Sequence, residues 1–365
     1  MNARNKLWIG WLASHLTGRS TSRIAAAIVL GAALGVVSPA LAQFDNTTRT
    51  VTKRGTTAAD FLGIPVGARA TGMGSAITAS VDDLSSLYWN PGGLSLMTGG
   101  AATAEYATWL ADVEFNYFAV AQTFSAGTIA IGITSMRTPE MEVTTVADQE
   151  GTGETFDASS YALAISYARR LTDRFGIGGS VKLVNEQIWN SSATGVAFDV
   201  GTTFVTPFRG VRLGAAISNF GTRMQIGGDD LLVKVDIDPN NGGNNESNRA
   251  LLSTDRFDLP LTMRIGVASD VVNTGGTRFT LAVDALNPNN SEQYVNVGAE
   301  VGLLGDLFQV RGGYSELFLG DQVRSWTLGA GLRYRFAPLN LAVDYAYEAM
   351  EYFSEVNRFT VSLQW

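Results

Sequence analysis

What most constrains this chain is a long series of runs in which apolar and polar residues alternate one by one. In Leu339–Glu348, Leu341, Val343, Tyr345 and Tyr347 fall on one face, and Asn340, Ala342, Asp344, Ala346 and Glu348 on the other. In Asn357–Trp365, Phe359, Val361, Leu363 and Trp365 alternate with Thr360, Ser362 and Gln364. Successive side chains of a strand point to opposite faces, whereas a helix would scatter these residues around its circumference. The same template predicts fourteen strands, at 101–110, 114–124, 127–137, 159–170, 174–187, 193–206, 210–220, 258–271, 276–286, 292–303, 306–315, 324–336, 339–348 and 356–365. The inside face of the first two is not evident from the pattern. Most run 10 to 14 residues. Strands of soluble proteins average about 5–6, and a strand crossing hydrocarbon at a tilt needs about 9–11. The expected fold is an all-β, 14-stranded antiparallel transmembrane barrel at 101–365, an even strand number such barrels allow.

The connections sort the same way. Alternate ones are short, around Ser125-Ala126, Leu171–Asp173, Pro207–Arg209, Asn273–Gly275, Leu304-Gly305 and Ala337-Pro338. The two longest, near Thr138–Ala158 and Gly221–Phe257, fall on the opposite end. Tight periplasmic turns and longer outer loops are the habit of outer-membrane barrels. The first long loop is acidic, with Glu140, Glu142, Asp148, Glu150, Glu154 and Asp157, and reads as a solvated face. In the second, Asp236-Ile237-Asp238-Pro239-Asn240-Asn241-Gly242 spaces oxygen ligands as a calcium loop does. Its glycine comes one residue late, however, and Ser247 stands where a bidentate Glu is needed, so a solvated loop is the expectation.

Residues 1–42 have the order of a secretory signal. Arg4, Lys6, Arg19 and Arg23 are basic, the run Ile24–Val37 is apolar, and Ala40-Leu41-Ala42 offers small residues for cleavage after Ala42. The single histidine, His15, lies in that segment, and the chain has no cysteine. A mature protein without either has no Ser-His-Asp triad, no Cys-His dyad and no His- or Cys-liganded metal. No catalytic residue, cofactor or metal site is expected. A net charge of −8 argues against a nucleic-acid surface.

Residues 43–100 do not alternate. Gly63, Gly67, Gly72 and Gly74 mark turns, and a short helix is expected at Val81–Trp89, stopped by Asn90-Pro91-Gly92-Gly93. A barrel this wide leaves a lumen that its own side chains do not fill, so this segment is expected inside it as a plug. Arg69 and the pair Asp82/Asp83 are expected to meet charges on the wall.

The runs Ala59–Ala76, Val81-Asp82-Asp83 and Tyr88–Leu94 resemble the N-terminal signature of the PorV/PorQ family, within the FadL-like group of fourteen-stranded outer-membrane barrels. The family's usual Met-Gly-Gly and Asn-Pro-Ala-Gly-Leu read Met73-Gly74-Ser75 and Asn90-Pro91-Gly92-Gly93-Leu94 here, with Ser75 and Gly92 as small replacements. The resemblance implies that Arg69, Gly72, Met73, Gly74, Asp82, Asp83, Asn90, Pro91, Gly92 and Leu94 form the plug motif. It implies a role in binding or shuttling exported protein cargo with type IX-like secretion components. In the fatty-acid branch of the group it implies uptake of a hydrophobic small molecule instead. A strand kink beside an apolar pocket would favour uptake, and a sealed lumen with exposed apolar loop tips would favour cargo. Leu231, Leu232 and Val233 lean toward cargo.

Two further sets complete the reading. The polar faces carry Lys182, Asp199, Arg212, Arg264, Asp284, Glu300, Arg311, Arg333, Arg335, Asp344 and Glu348. Mixed signs are expected to pair across strands or with the plug. Arg311, Arg333, Arg335, Asp344 and Glu348 form a candidate lumen cluster. Phe359, Val361, Leu363 and Trp365 form an apolar strand face ending in an aromatic, the expected insertion signal for the barrel-assembly machinery, with outer-membrane lipid as the surrounding partner.

Overall fold

The computed structural model describes residues 53–365, apart from 209, 241 and 243–246. The expected signal segment 1–42 lies outside the described residues. Fourteen long strands form one antiparallel sheet: β1 (Gly100–Thr108), β2 (Glu114–Phe124), β3 (Gly127–Arg137), β4 (Ala158–Thr172), β5 (Phe175–Ile188), β6 (Ser191–Val205) and β7 (Val211–Gly221), then β8 (Thr262–Asn273), β9 (Thr277–Pro288), β10 (Tyr294–Leu303), β11 (Phe308–Leu317), β12 (Arg324–Phe336), β13 (Leu339–Met350) and β14 (Val356–Gln364). Each pairs with its neighbour in sequence, and β1 pairs with β14 from Ala101↔Gln364 to Thr108↔Asn357, which closes the barrel. Closure leaves no free edge.

Every alternating run carries one strand. The largest displacement is at β8, expected from 258 and starting at Thr262. Pro260 has no amide to donate, and Leu261 N turns back to Leu259 O at 2.8 Å, so the ladder starts after this turn. The two longest connections carry small hairpins, Met141–Glu142 with Thr155–Phe156 and Leu232–Val235 with Asn248–Leu251. They sit at the end opposite the tight turns and the barrel's own two ends.

The wall is apolar outside and polar inside. On β3, Ile129, Ile131 and Ile133 are exposed, while Ala130 and Thr134 are buried. On β2, whose faces the pattern left open, Phe115 and Tyr117 point inward and Phe118 and Val120 outward. Tyr117 belongs inside because its hydroxyl donates to Leu84 O of the plug at 3.0 Å. Inside, Lys182, Asp199, Arg264, Asp284, Glu300 and Arg311 are all buried. This is the inversion of a soluble protein, and it is the wall of an outer-membrane barrel.

Phe359 and Val361 are exposed on this outer face, and Phe359 lies 5.0 Å from the Tyr345 ring. Ile131 and Ile165 are register partners on the same face. An arginine near the midplane costs about 2–4 kcal/mol, so Ile131→Arg with Ile165→Arg should remove most folded protein from the outer membrane. Loss of the heat-modifiable band on gels checks this; an unchanged band would mean that this face does not meet lipid.

Candidate functional site

The segment ahead of β1 folds as short pieces inside the lumen: a 3-10 turn at Asp60–Gly63, α1 (Ala68–Gly72), α2 (Ser86–Trp89) and a second 3-10 turn at Pro91–Leu96. The helix expected from Val81 begins only at Ser86. The Asp83 carboxylate accepts hydrogen bonds from Ser85 N at 2.9 Å and Ser85 Oγ at 2.5 Å, and that local bonding holds the residues before α2 out of a helix. No piece is long enough to be stable alone. The wall supplies what is missing. Asp284 accepts from Ile77 N at 2.9 Å and Thr78 N at 2.8 Å. Thr360 Oγ1 accepts from Ala68 N at 2.9 Å, Thr327 Oγ1 from Gly74 N at 2.9 Å, and Glu105 from Gly67 N. Asn90 Nδ2 donates to Thr78 O at 2.8 Å and to Thr202 O of β6 at 3.0 Å, while its Oδ1 accepts from Gly92 N.

Plug backbone meets wall backbone directly at several places, two of them at plug glycines. A Cβ on Gly74 would lie 2.5 Å from Tyr314 N, and a Cβ on Gly92 would lie 2.7 Å from Thr202 Cα. Gly74 has φ 60° and Ser75 has φ 62°, so the left-handed turn spans both. Ser75 is therefore not a neutral replacement: glycine bears that conformation freely and serine does not. Met73 and Leu94 are fully buried, and Gly72 faces Gly329 of β12.

The charges converge on Glu300, which is fully buried on β10. Its Oε2 accepts from Arg311 Nε at 2.6 Å and Arg69 Nε at 3.2 Å, and its Oε1 from Arg278 Nη2 at 2.7 Å. Arg69 also holds Asp82 at 2.5 Å and Asp83 at 3.0 Å, both from the plug itself. The expectation that the Asp pair meets wall charges therefore divides: Arg69 spans to the wall, and the aspartates close on Arg69. Burial pushes the Asp82 carboxyl up, but the Arg69 and Arg333 charges outweigh it and hold it below its ordinary value.

The five candidate lumen charges do not form one cluster. Arg311 bridges Glu300 and Asp344, the latter at 2.5 Å. Glu348, four residues further along β13, lies nearer the long-loop end, 3.7 Å from Arg324 and 3.9 Å from Arg358. Arg333 and Arg335 sit toward the short-turn end and pair with neither carboxylate. Sequence reasoning missed Glu105 and Arg358, a buried pair at 2.9 Å joining β1 to β14. Arg358 has the parity of Thr360, and that inward parity could have found it.

Above the plug, at the long-loop end, is a cavity of about 480 Å³. Phe61, Ile64, Pro65, Trp109, Met136 and Leu319 give it apolar sides, and Arg264, Tyr294, Glu316 and Arg324 its polar wall. Arg264 lies 5.3 Å from the Trp89 ring and 5.7 Å from that of Tyr88. Beside the cavity the wall is kinked. Asn219 on β7 takes φ 62°, and the β6–β7 register shifts between Phe198 and Val200. Asn219 is pinned there: its N donates to Asp199 at 2.8 Å, its Oδ1 accepts from Lys182 at 2.9 Å, and its Nδ2 donates to Pro260 O at 3.1 Å. The β7–β8 ladder ends at Ser218↔Thr262, and Pro260 and Thr262 line the cavity.

No protein-family profile and no curated protein matches this chain. Solved structures do. The Ralstonia pickettii toluene transporter TbuX is 12% identical with a TM-score of 0.52, over 82% of this chain and 98% of that one. The Pseudomonas putida toluene transporter TodX gives the same identity, TM-score and coverage. A Pseudomonas aeruginosa FadL homologue is 12% identical with a TM-score of 0.50, over 83% and 98%. The chain has the fold of the FadL-like barrels. The expected PorV/PorQ branch gains no support from these comparisons.

Two outcomes test the plug contacts. Arg69→Ala leaves Asp82 and Asp83 without their partner and removes one of three arginines from Glu300, a loss of about 3–5 kcal/mol. Thr71→Ala removes a buried hydroxyl that has no partner and should cost about 1–3 kcal/mol less than the arginine change. Thermal loss of the heat-modifiable band ranks the two variants. Ser75→Gly, by relieving the left-handed strain, should raise the same midpoint by an increment worth about 1 kcal/mol; a fall would mean that Ser75 contributes packing that outweighs its strain.

Proposed function

We propose that the protein admits small hydrophobic molecules through the outer membrane. The observation that carries this is the apolar-sided cavity of about 480 Å³ beside the kink at Asn219. Its volume lies within the range of about 300–1,000 Å³ usual for small-molecule sites, and such sites combine apolar walls with a few placed polar groups. The fold is shared with barrels described as toluene transporters and as a FadL homologue, which agrees with this reading. In it, a ligand enters from the long-loop end, rests on Ile64 and Trp109, and leaves sideways where β7 parts from β8.

Cargo binding is the second reading, and one observation favours it. The outer hairpin exposes Leu232, Leu251 and Leu252, an apolar tip that solvent alone does not call for. An exported protein would meet this tip without entering the lumen.

The test is accumulation of radiolabelled toluene by cells that carry the protein against cells that lack it. Faster accumulation is expected, and Ile64→Arg should cut it at least about tenfold, because a charge on the cavity floor repels an apolar guest by more than 1.4 kcal/mol. Equal accumulation with and without the protein would end the uptake reading. A deletion of 232–251 that leaves uptake intact but loses exported protein from the cell surface would favour the second.

A further inference from the structure

We propose that the opposite mouth of the lumen, at the short-turn end, is a binding site for a small oxyanion with an apolar body, held by Arg333 and Arg335. The site is distinct from the outer cavity and does not depend on the uptake reading. It is a cavity of about 430 Å³ between the plug and the ends of β1, β12, β13 and β14.

Charge accounting leads to the ligand. Arg333 and Arg335 are two residues apart on β12 and so share its lumen face. Three carboxylates line the same cavity, and all three are held by other arginines: Asp82 and Asp83 by Arg69 at 2.5 and 3.0 Å, and Asp344 by Arg311 at 2.5 Å. Among the described residues, neither Arg333 nor Arg335 makes a hydrogen bond or an ion pair; the Arg333 charge acts on Asp82 only from beyond ion-pair distance, so its N–H donors stay free. Every other arginine or lysine named on the polar faces, namely Lys182, Arg212, Arg264 and Arg311, has one. Two guanidinium forks are thus turned into a cavity with their donors unspent.

The geometry also selects the kind of anion. Guanidinium offers paired N–H donors that match the two oxygens of a carboxylate or phosphate, so an oxyanion fits better than a halide. Leu84, Leu96 and Met97 of the plug form an apolar side of the cavity, whereas Asn340 and Gln364 complete its polar rim. A bare inorganic anion would leave the apolar side unused. A small ring or short chain bearing a carboxylate or a phosphate ester uses both. Such a molecule would come from the aqueous compartment beneath the short turns, which for an outer-membrane barrel is the periplasm.

Arg335 is exposed and Arg333 half-buried, and neither supports the plug through a bond, so both can be changed without threatening the fold. The experiment is calorimetric titration of the full barrel in a non-ionic detergent with benzoate, phenyl phosphate, inorganic phosphate and the neutral benzyl alcohol. One of the two aromatic anions should bind the wild type at least about tenfold more tightly than benzyl alcohol. Arg333→Gln with Arg335→Gln should abolish that preference, and Arg335→Gln alone should reduce it. Tighter benzoate would identify a carboxylate site and tighter phenyl phosphate a phosphate-ester site. Equal anion binding by the wild type and the double variant, or no binding of either aromatic anion at millimolar concentration, would overturn the proposal. Inorganic phosphate binding as tightly as phenyl phosphate would overturn the part assigned to Leu84, Leu96 and Met97. Toluene accumulation by the double variant is measured in parallel: retained uptake with lost anion binding separates this site from the outer cavity.

Discussion

A lumen that its own side chains do not fill dictates most of what lies inside this barrel. Water-facing polar groups of the wall would be stranded beneath a plug unless the plug paired with them, and a plug of short turns has little stability of its own. The two deficits cancel. Asp284, Glu105 and Thr360 take hydrogen bonds from plug amides that no helix or strand satisfies, and Thr327 shares the Gly74 amide with Thr71 O. Glu300 stands at the centre, fully buried and shared by Arg69, Arg278 and Arg311. Removing any one partner leaves charge in a low-dielectric interior, where breaking a pair costs more than forming it gained. This bonding ties the plug to the wall at every level of the lumen where those residues lie.

How much of this was legible follows from how far each signal reaches along the chain. Strand existence and the outer face are local, because period-two alternation is written within ten or so residues. Fourteen runs accordingly became fourteen strands. The glycine and Asn-Pro signals of the plug are also local, and Gly74, Asn90 and Gly92 turn out to mark where plug backbone touches wall backbone. Which wall residue answers which plug amide is not local at all. Ala68 and Thr360 are separated by 292 positions, and nothing in either neighbourhood names the other. The same limit explains why Arg311 and Glu348 looked like members of one cluster. Strand parity placed both inside, but parity carries no height, and height along the barrel axis sorts them into different networks.

Parity left the faces open where large residues point both ways. On β2, Phe115 and Tyr117 face inward, Phe115 under the Arg358 guanidinium at 5.5 Å and Tyr117 bonded to Leu84 O of the plug. Their alternation with Phe118 and Val120 gives two apolar faces, which is what a strand flanked by lipid on one side and a packed segment on the other requires. β1 is ambiguous for the opposite reason: its small residues carry little contrast, so the buried Glu105 escaped notice beside Thr103 and Ala107.

The two mouths of the lumen differ in chemistry, and that difference bears on how an apolar molecule would travel. A separate small void of about 20 Å³, room for roughly one water, lies along β1 and β14 and shares Asp83, Asp344 and Ser362 with the short-turn cavity. Its sides are Arg69, Asp83, Glu105 and Asp344, with the hydroxyls of Thr103 and Thr360. An apolar ligand forced through would have to part the Arg69 and Glu105 pairs without offering them replacements, at a cost of several kcal/mol for each buried charge. At the kink the obstacle is smaller in kind. Asn219 and Pro260 are joined across the gap by a neutral hydrogen bond of 3.1 Å, worth about 0.5–1.5 kcal/mol net, and the wall closes again beyond it at Met224↔Phe257 and at the exposed Arg223–Asp258 pair. Phe220 next to it already faces outward. On the uptake proposal, a hydrophobic guest in the outer cavity would have its easier exit sideways, into lipid, and the charged seam would leave the short-turn mouth to water-soluble ligands. Under the two proposals, burial costs alone would separate the routes, before any motion of the plug is invoked.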